Sequence, residues 1–116
     1  MANTFKIKTN DAMPTSASTP LTLYTVPSST TTIVLGLMLC NVDTSQRLVD
    51  VQIVSDTSDT ETNSTFFAIK YAPIPAGSIL EVMAGNKVVL QATDVLKIDC
   101  DVAAKIDATL SIMEIT

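Results

Sequence analysis

The chain has 116 residues, of which 47% are hydrophobic, 4% aromatic and 16% charged, and its formal net charge is −5. This length and composition predict one domain with a single, mostly aliphatic core. The acidic balance and the scattered lysines argue against nucleic-acid binding, which needs several cations on one face.

The composition also argues against an enzyme. The chain contains no histidine, which removes Ser-His-Asp and Cys-His pairs, histidine-based acid–base catalysis and most zinc or iron sites. Its three glycines, Gly36, Gly77 and Gly85, form no phosphate-binding loop. We therefore predict no enzymatic activity, no cofactor and no metal.

The low proportion of charged residues points to assembly. At 16%, it lies well below the roughly 25% of an ordinary globular domain. A small domain with so few charges and much Thr and Ser is expected to cover part of its surface with partners. The alternative is a sparsely charged monomer with a Thr-rich exterior.

The first twenty residues predict a short strand and then an arm. Residues 4–8 alternate polar and apolar side chains, whereas residues 10–20 are small, polar and bounded by prolines. We expect an extended arm that reaches a neighbouring subunit, with a frayed terminus as the alternative. The predicted division is therefore 1–20, N-terminal strand and arm, and 21–116, β-sandwich domain.

No targeting or membrane segment is expected. The start of the chain lacks a basic region leading into an apolar one, so we expect no signal peptide and synthesis in a cytoplasm. The longest apolar run, residues 33–40, is shorter than the ~20 residues of a membrane-spanning helix.

Two further strands are predicted between residues 21 and 40. Residues 21–26 alternate cleanly, and residues 30–40 are the most β-prone segment of the chain. Alternation in the second strand assigns one face to Ile33, Leu35, Leu37 and Leu39, and the other to Val34, Gly36, Met38 and Cys40. Because both faces are apolar, we predict a central strand or one covered on its second side by another subunit.

The middle of the chain continues this pattern. Residues 47–55 alternate, with Val49, Val51 and Ile53 predicted to face inward. Residues 56–64 are acidic and wholly polar, and we predict a solvated loop there. A Ca²⁺ site at Asp56, Asp59 and Glu61 is the alternative, but the spacing of these residues fits no EF-hand loop. Residues 65–71 return to a strand.

A proline-rich turn and two strand runs follow. Turns at 76–77 and 85–86 flank an apolar segment, and Pro73 and Pro75 stiffen the entry. Strands are then predicted over 95–102 and 106–115, with these residues facing inward: Leu96, Ile98, Cys100, Val102, Ile106, Ala108, Leu110 and Ile112. About eight short strands and no helical period indicate an all-β, antiparallel β-sandwich, jelly-roll or immunoglobulin-like, or a small barrel.

The two cysteines and a set of apolar side chains allow predictions for individual residues. Cys40 and Cys100 are expected to be free thiols that pack as small hydrophobes, with a disulfide as the alternative. The apolar side chains predicted for an interface are Met13, Val34, Met38, Phe66, Phe67, Met113 and Ile115.

Several segments together carry a family resemblance. They are residues 23–27 (LYTVP), 30–37 (TTTIVLGL) with Asn41 after them, 72–82 (APIPAGSILEV), 87–97 (KVVLQATDVLK) and 111–115 (SIMEI). In the composition and order of these segments, the chain resembles small all-β structural proteins of tailed bacteriophages. Residues 85–97 also resemble the second half of cupin barrels, but the metal-binding histidines of cupins are missing here.

The phage resemblance implies a non-enzymatic virion component made in the host cytoplasm. A capsid decoration or cement protein is the first expectation, and a neck or tail accessory protein the second. The implied partners are copies of the chain and other virion proteins, namely the major capsid protein or neck and tail proteins. A small module that binds carbohydrate or a host surface is the alternative from another class, although the chain has no tryptophan to serve as a sugar platform.

Overall fold

The computed structural model describes residues 2–55, 63–83 and 85–116, which form two antiparallel sheets. The nine strands are β1 (Asn3–Met13), β2 (Leu21–Thr25), β3 (Thr31–Asn41), β4 (Arg47–Val54), β5 (Phe66–Ile74), β6 (Ile79–Glu81), β7 (Val88–Leu90), β8 (Val95–Cys100) and β9 (Ile106–Ile115). Sheet A has the order β1-β9-β3, and both β6 and β7 pair with the far side of β3. Sheet B has the order β2-β8-β4-β5.

The strand pairs are nested in the manner of a jelly roll. β1 pairs with β9, β2 with β8, β3 with β6 and β7, and β4 with β5. Successive pairs alternate between the two sheets, as when one long antiparallel hairpin is rolled up. The predicted antiparallel sandwich is confirmed, and the nesting selects the jelly roll over the immunoglobulin-like alternative. β6 and β7 together occupy the place of one strand.

The core lies between the sheets and is almost entirely aliphatic. The side chains predicted to face inward from β4 and β9 are buried, and so are Leu96, Ile98 and Cys100 of β8. Each fully buried Val, Leu or Ile contributes roughly 1.5–3 kcal/mol relative to exposure, so these three strands supply much of the stability. The part of the chain that the structure describes contains no helix long and apolar enough to cross a membrane.

A bulge in β3 reverses the predicted faces of that strand. Its register against β9 shifts between Val34 and Gly36. The extra residue changes which side each later residue faces, because side chains alternate with a period of two. Val34 is therefore buried together with Leu37 and Leu39, while Leu35 is 38% exposed. The assignment of Leu35 to the face of Leu37, and of Val34 to the face of Met38, is wrong.

The N-terminal segment is packed against the sandwich. β1 pairs with β9 from Asn3 to Met13, and Met13 is fully buried. Further on, the Pro14 carbonyl accepts a hydrogen bond of 2.8 Å from the Ala104 amide, and the Ser18 amide donates one of 2.8 Å to the Cys100 carbonyl. The expected strand over 4–8 is present and longer. The expected arm over 10–20 is corrected, because its backbone groups and its methionine find partners within the same protomer.

One polar cluster closes the end of the sandwich near the N-terminus. The Tyr24 hydroxyl donates a 2.5 Å hydrogen bond to Glu114 Oε2 and lies 2.8 Å from the Thr32 hydroxyl. Lys6 Nζ lies 2.6 Å from Glu114 Oε1. Glu114 is only 5% exposed, so its charge depends on these two partners. Burial and the hydrogen bond to Glu114 raise the pKa of Tyr24 to about 12.

The cluster predicts a loss of stability in acid. The hydrogen bonds from Lys6 and Tyr24 lower the pKa of Glu114 below its ordinary value of about 4.3. A carboxyl whose pKa is lower in the folded state stabilises the fold above its unfolded pKa, and that contribution is lost as the pH falls through the folded pKa. We expect the melting temperature to fall as the pH drops from about 6 to about 3, and to fall less steeply in Glu114→Gln. The control Glu81→Gln, at an exposed position, retains the wild-type dependence, and an equally steep fall in Glu114→Gln would contradict the prediction.

Candidate assembly surface

The outer face of sheet A carries a continuous apolar surface. We call it the assembly face and define it by the large side chains that point away from the core on β1, β3, β7 and β9: Phe5, Ile7, Ile33, Leu35, Met38, Val89, Met113 and Ile115. Phe5 is 71% exposed, Ile7 63% and Val89 56%. Exposure of this kind on neighbouring strands is unusual for the surface of a monomer.

The strand register places these side chains in rows. Met113 on the central strand β9 lies opposite Phe5 on one side and Ile33 on the other, and Ile33 lies opposite Val89. Directly opposed side chains on neighbouring strands contact one another, so this row is one apolar stripe across four strands. At about 4.8 Å between strands, the stripe is about 14 Å wide.

The next two rows combine apolar side chains with small uncharged residues, and the second of these rows ends at Glu81, opposite Met38. Ile7 lies opposite Ser111, which lies opposite Gly36, and Thr109 lies opposite Met38. Among the described residues of sheet A, the charged side chains that point outward are Asp11, Glu81 and Asp107. They lie toward the end of the sheet at which β3 finishes. The remainder of the face is flat and uncharged, which suits close packing against another protein surface.

The outer face of sheet B has the opposite character. Its central strands β4 and β8 present Asp50, Gln52, Lys97 and Asp99. An antiparallel sheet commonly has one face on the core and one in water, which gives alternation of apolar and polar side chains. On the central strands of sheet B polar residues prevail, although Leu48 on β4 and Phe67 and Tyr71 on β5 are exposed. The central strand of sheet A presents no such run of charged and amide side chains, so sheet A is the surface expected to be covered.

The seven residues predicted for an interface lie in three different places. Met38, Met113 and Ile115 belong to the assembly face. Met13 and Val34 are fully buried in the core of the protomer and have no surface to offer a partner, which corrects those two assignments. Phe66 and Phe67 lie on β5 at the edge of sheet B and are 47% and 44% exposed.

Sequence reasoning missed the two most exposed members of the assembly face. Phe5 and Ile7 alternate with Lys6 and Lys8, and a strand of this pattern is ordinarily expected to turn its apolar side inward. In the structure the lysines lie on the inner side, at the mouth of the sandwich beside Glu114, and the apolar residues face out. The buried acid on β9 is the signal that could have indicated this orientation.

The other candidate sites are the acidic segment over 56–64 and the two cysteines. Residues 56–62, which include Asp56, Asp59 and Glu61, lie outside the residues that the structure describes. Within 2–55, 63–83 and 85–116, no group of three or more His, Cys, Asp or Glu side chains is placed to hold a metal ion. Cys40 and Cys100 are both free. Burial raises the pKa of Cys100 to about 11, so its thiol stays protonated and unreactive at neutral pH.

Comparison with known proteins identifies the fold. No protein-family model and no curated protein matches the sequence significantly. A chain of the infectious bursal disease virus (IBDV) T13 viral particle aligns with a TM-score of 0.59 and 11% identity, over 97% of this chain and 30% of that chain. At this identity the likeness shows the sandwich fold, and the present chain spans about a third or less of that viral chain.

Two further solved structures are similar at lower scores. A chain of the Bacillus endospore appendages, which are disulfide-linked pili, has a TM-score of 0.47 and 15% identity over 100% of this chain and 91% of that chain. A chain of the infectious bursal disease virus Gx strain has a TM-score of 0.48 and 9% identity over 96% of this chain and 37% of that chain.

Proposed function

We propose that this chain is a non-enzymatic structural protein of a bacteriophage virion, and specifically a capsid decoration protein made in the host cytoplasm. The observation that carries the proposal is the uncharged, apolar outer face of sheet A. Phe5, Ile7 and Val89 are each more than half exposed. Apolar exposure of this kind is unfavourable on a sheet that faces water, and it is typical of a surface that binds another protein. The resemblance of the sequence to small phage structural proteins supports a location in the virion. The jelly-roll fold agrees with this proposal, because viral capsid domains commonly have it.

The size of the assembly face fits repeated, individually modest contacts. It is about 14 Å wide and about 20 Å long, which is small beside the roughly 800 Å² per partner of a standard stable interface. Each contact therefore gains little after the cost of association. Repetition over a particle lattice multiplies such contacts into firm attachment. The partners in this proposal are copies of the chain and the major capsid protein.

The sandwich itself supports a structural role. Its core is almost entirely aliphatic, and no buried side-chain nitrogen or oxygen in the described residues lacks a hydrogen-bond partner. The buried carboxylate of Glu114 contacts Lys6 and Tyr24 and so links β1, β2 and β9. A rigid unit with an adhesive face is what a particle coat requires.

The test is the molar mass of the purified protein, measured by light scattering behind a size-exclusion column in reducing buffer. We expect an oligomer whose proportion increases with protein concentration: a dimer if the apolar face packs against its own copy, or a trimer or larger ring if it packs against a different surface of the neighbouring copy. Binding to particles followed by imaging then separates the capsid from the neck and tail. A monomer at every concentration, with no binding to particles, would overturn the proposal.

A further inference from the structure

A second surface lies on the opposite layer of the molecule. The outer face of sheet B contains a groove of about 340 Å³, whose walls come from β4, β5, β8 and the chain before β2. Its polar lining includes Asp50, Gln52, Lys97 and Asp99, and its apolar lining includes Phe67 and Tyr71. Convergent polar groups beside exposed rings in a concavity are the usual composition of a small-ligand site.

The floor of the groove breaks a rule of sheet pairing. Asp50 and Asp99 lie directly opposite each other on β4 and β8. Like charges in this arrangement destabilise a sheet. Burial raises the pKa of Asp99, and the charge of Asp50 raises it further. Local conflicts of this kind concentrate at functional sites, because there the ligand rather than the fold decides the residue.

The aromatic wall is held in a strained position. Tyr71 has φ of 54°, a left-handed conformation that is uncommon for a bulky residue, and it sits where β5 bulges against β4. The Tyr71 amide donates a 2.6 Å hydrogen bond to Asp50 Oδ1, which fixes the bulge. Asp50 therefore holds the backbone at Tyr71, and this residue remains 64% exposed. Backbone strain with an identifiable support is a feature of ligand sites.

A lysine keeps the two rings together. Lys70 Nζ lies 4.0 Å from the centroid of the Phe67 ring and 4.4 Å from that of the Tyr71 ring. An ammonium at these distances is attracted to both ring faces. The rings are thus positioned beside the polar floor before any ligand arrives.

We propose that this groove binds a saccharide. The exposed rings offer apolar surfaces to the C–H face of a sugar ring, and the floor places the carboxylate of Asp99, the amide of Gln52 and the ammonium of Lys97 side by side. Hydroxyl groups both donate and accept hydrogen bonds, so they match a lining that contains both kinds of partner. The two lysines of the lining, Lys70 and Lys97, disfavour a metal cation, and its three aspartates, Asp50, Asp99 and Asp101, disfavour a phosphate or another anion.

The groove is independent of the assembly face. The two surfaces lie on the outer sides of different sheets, so a copy packed on sheet A leaves sheet B in solvent. A coat protein arranged in this way would present many copies of the groove outward, and repetition would strengthen a weak sugar contact.

A microarray of immobilised mono- and oligosaccharides, probed with the full-length protein, tests the inference. We expect binding to a defined set of glycans, and an affinity for the strongest of them that is about tenfold weaker in Tyr71→Gly, which removes the ring and keeps the backbone conformation. Gln52→Ala should weaken binding in the same direction. The matched control is Ser29→Gly, which relieves another left-handed residue (φ 54°) outside the groove and should bind as the wild type does.

Two results would overturn the saccharide site. One is the absence of any glycan bound by the wild type, and the other is full affinity in Tyr71→Gly once thermal unfolding shows that the variant is folded. The molar mass of Tyr71→Gly should equal that of the wild type, so failure of the sugar site and failure of assembly are observed separately.

Discussion

Met113→Lys is expected to abolish self-association while leaving the fold intact. Met113 lies at the centre of the assembly face, between Phe5 and Ile33, on the middle strand β9. Lysine keeps a straight aliphatic stem of similar length and adds a positive charge. A packed apolar interface would have to remove water from this charge, or place it beside the same charge on the second copy of the chain. Since that costs several kcal/mol, we expect association to weaken by about 100-fold or more. The measurement is the molar mass by light scattering at a series of concentrations.

The controls for this variant separate charge from shape. Met113→Leu keeps the site apolar and should associate as the wild type does. The thermal midpoint of Met113→Lys should lie close to that of the wild type, because outward substitutions usually change stability by no more than about 0.5 kcal/mol. If Met113→Lys assembles normally, the outer face of sheet A is not the contact surface, and the exposed Phe66 on β5 becomes the next residue to test.

Strands with a regular period were predictable from the sequence, and irregular ones were not. β4 and β9 alternate without interruption, so the residues assigned inward, such as Val51 and Leu110, are buried as expected. β3 contains a bulge, and one extra residue exchanges the two faces of everything beyond it. Gly36 lies at the register shift, and a glycine inside a strand is a signal of a bulge, but the apolar residues around it do not show which of them is the extra one. Val34 was therefore misplaced at a surface.

The assembly face was only partly predictable for a related reason. Few charges and two-sided apolar strands correctly pointed to a large apolar surface. Which side of β1 faces out, however, depends on Glu114, a residue more than a hundred positions away that draws Lys6 inward. Local alternation cannot report such a long-range partner. The arm over 10–20 was misjudged similarly, because its hydrogen-bond partners, Cys100 and Ala104, lie far along the chain.

The groove on sheet B could not be predicted from the sequence pattern. It depends on a bulge that places Tyr71 in a left-handed conformation, and on β8 pairing beside β4 so that Asp50 and Asp99 meet. Both features are products of register. The sequence shows aromatic and acidic residues on separate strands, and only the pairing brings them into one concavity.

Asn41 connects two turns from inside the sandwich. It is fully buried, and its Nδ2 donates to the Ser45 carbonyl at 2.9 Å and to the Ile74 carbonyl at 2.8 Å. Its Oδ1 accepts a hydrogen bond of 2.9 Å from the Asp43 amide. One side chain thus satisfies three backbone groups, which close the β3–β4 turn and hold the end of β5 against it.

Asn41→Ala should therefore destabilise the fold severely. The bond to the Ile74 carbonyl is buried, whereas those to Ser45 and Asp43 are part-buried. A buried backbone group left without a partner costs about 1–3 kcal/mol and a part-buried one costs less because water can reach it, so we expect a loss of about 2–4 kcal/mol in the free energy of unfolding. That is a large share of the roughly 5–15 kcal/mol that stabilises a typical domain. Urea unfolding measures it, best in the Met113→Lys background, where association does not add to the apparent stability.

Two further variants show whether the side-chain amide is responsible. Asn41→Asp keeps the shape and the acceptor for Asp43 but turns an oxygen toward two carbonyls, so it should destabilise at least as much as alanine does. Asn86→Ala, at an exposed turn position, should stay within about 0.5 kcal/mol of its parent. A loss below about 1 kcal/mol in Asn41→Ala would mean that the three backbone groups find other partners and that the two turns are held by the β3 pairing alone.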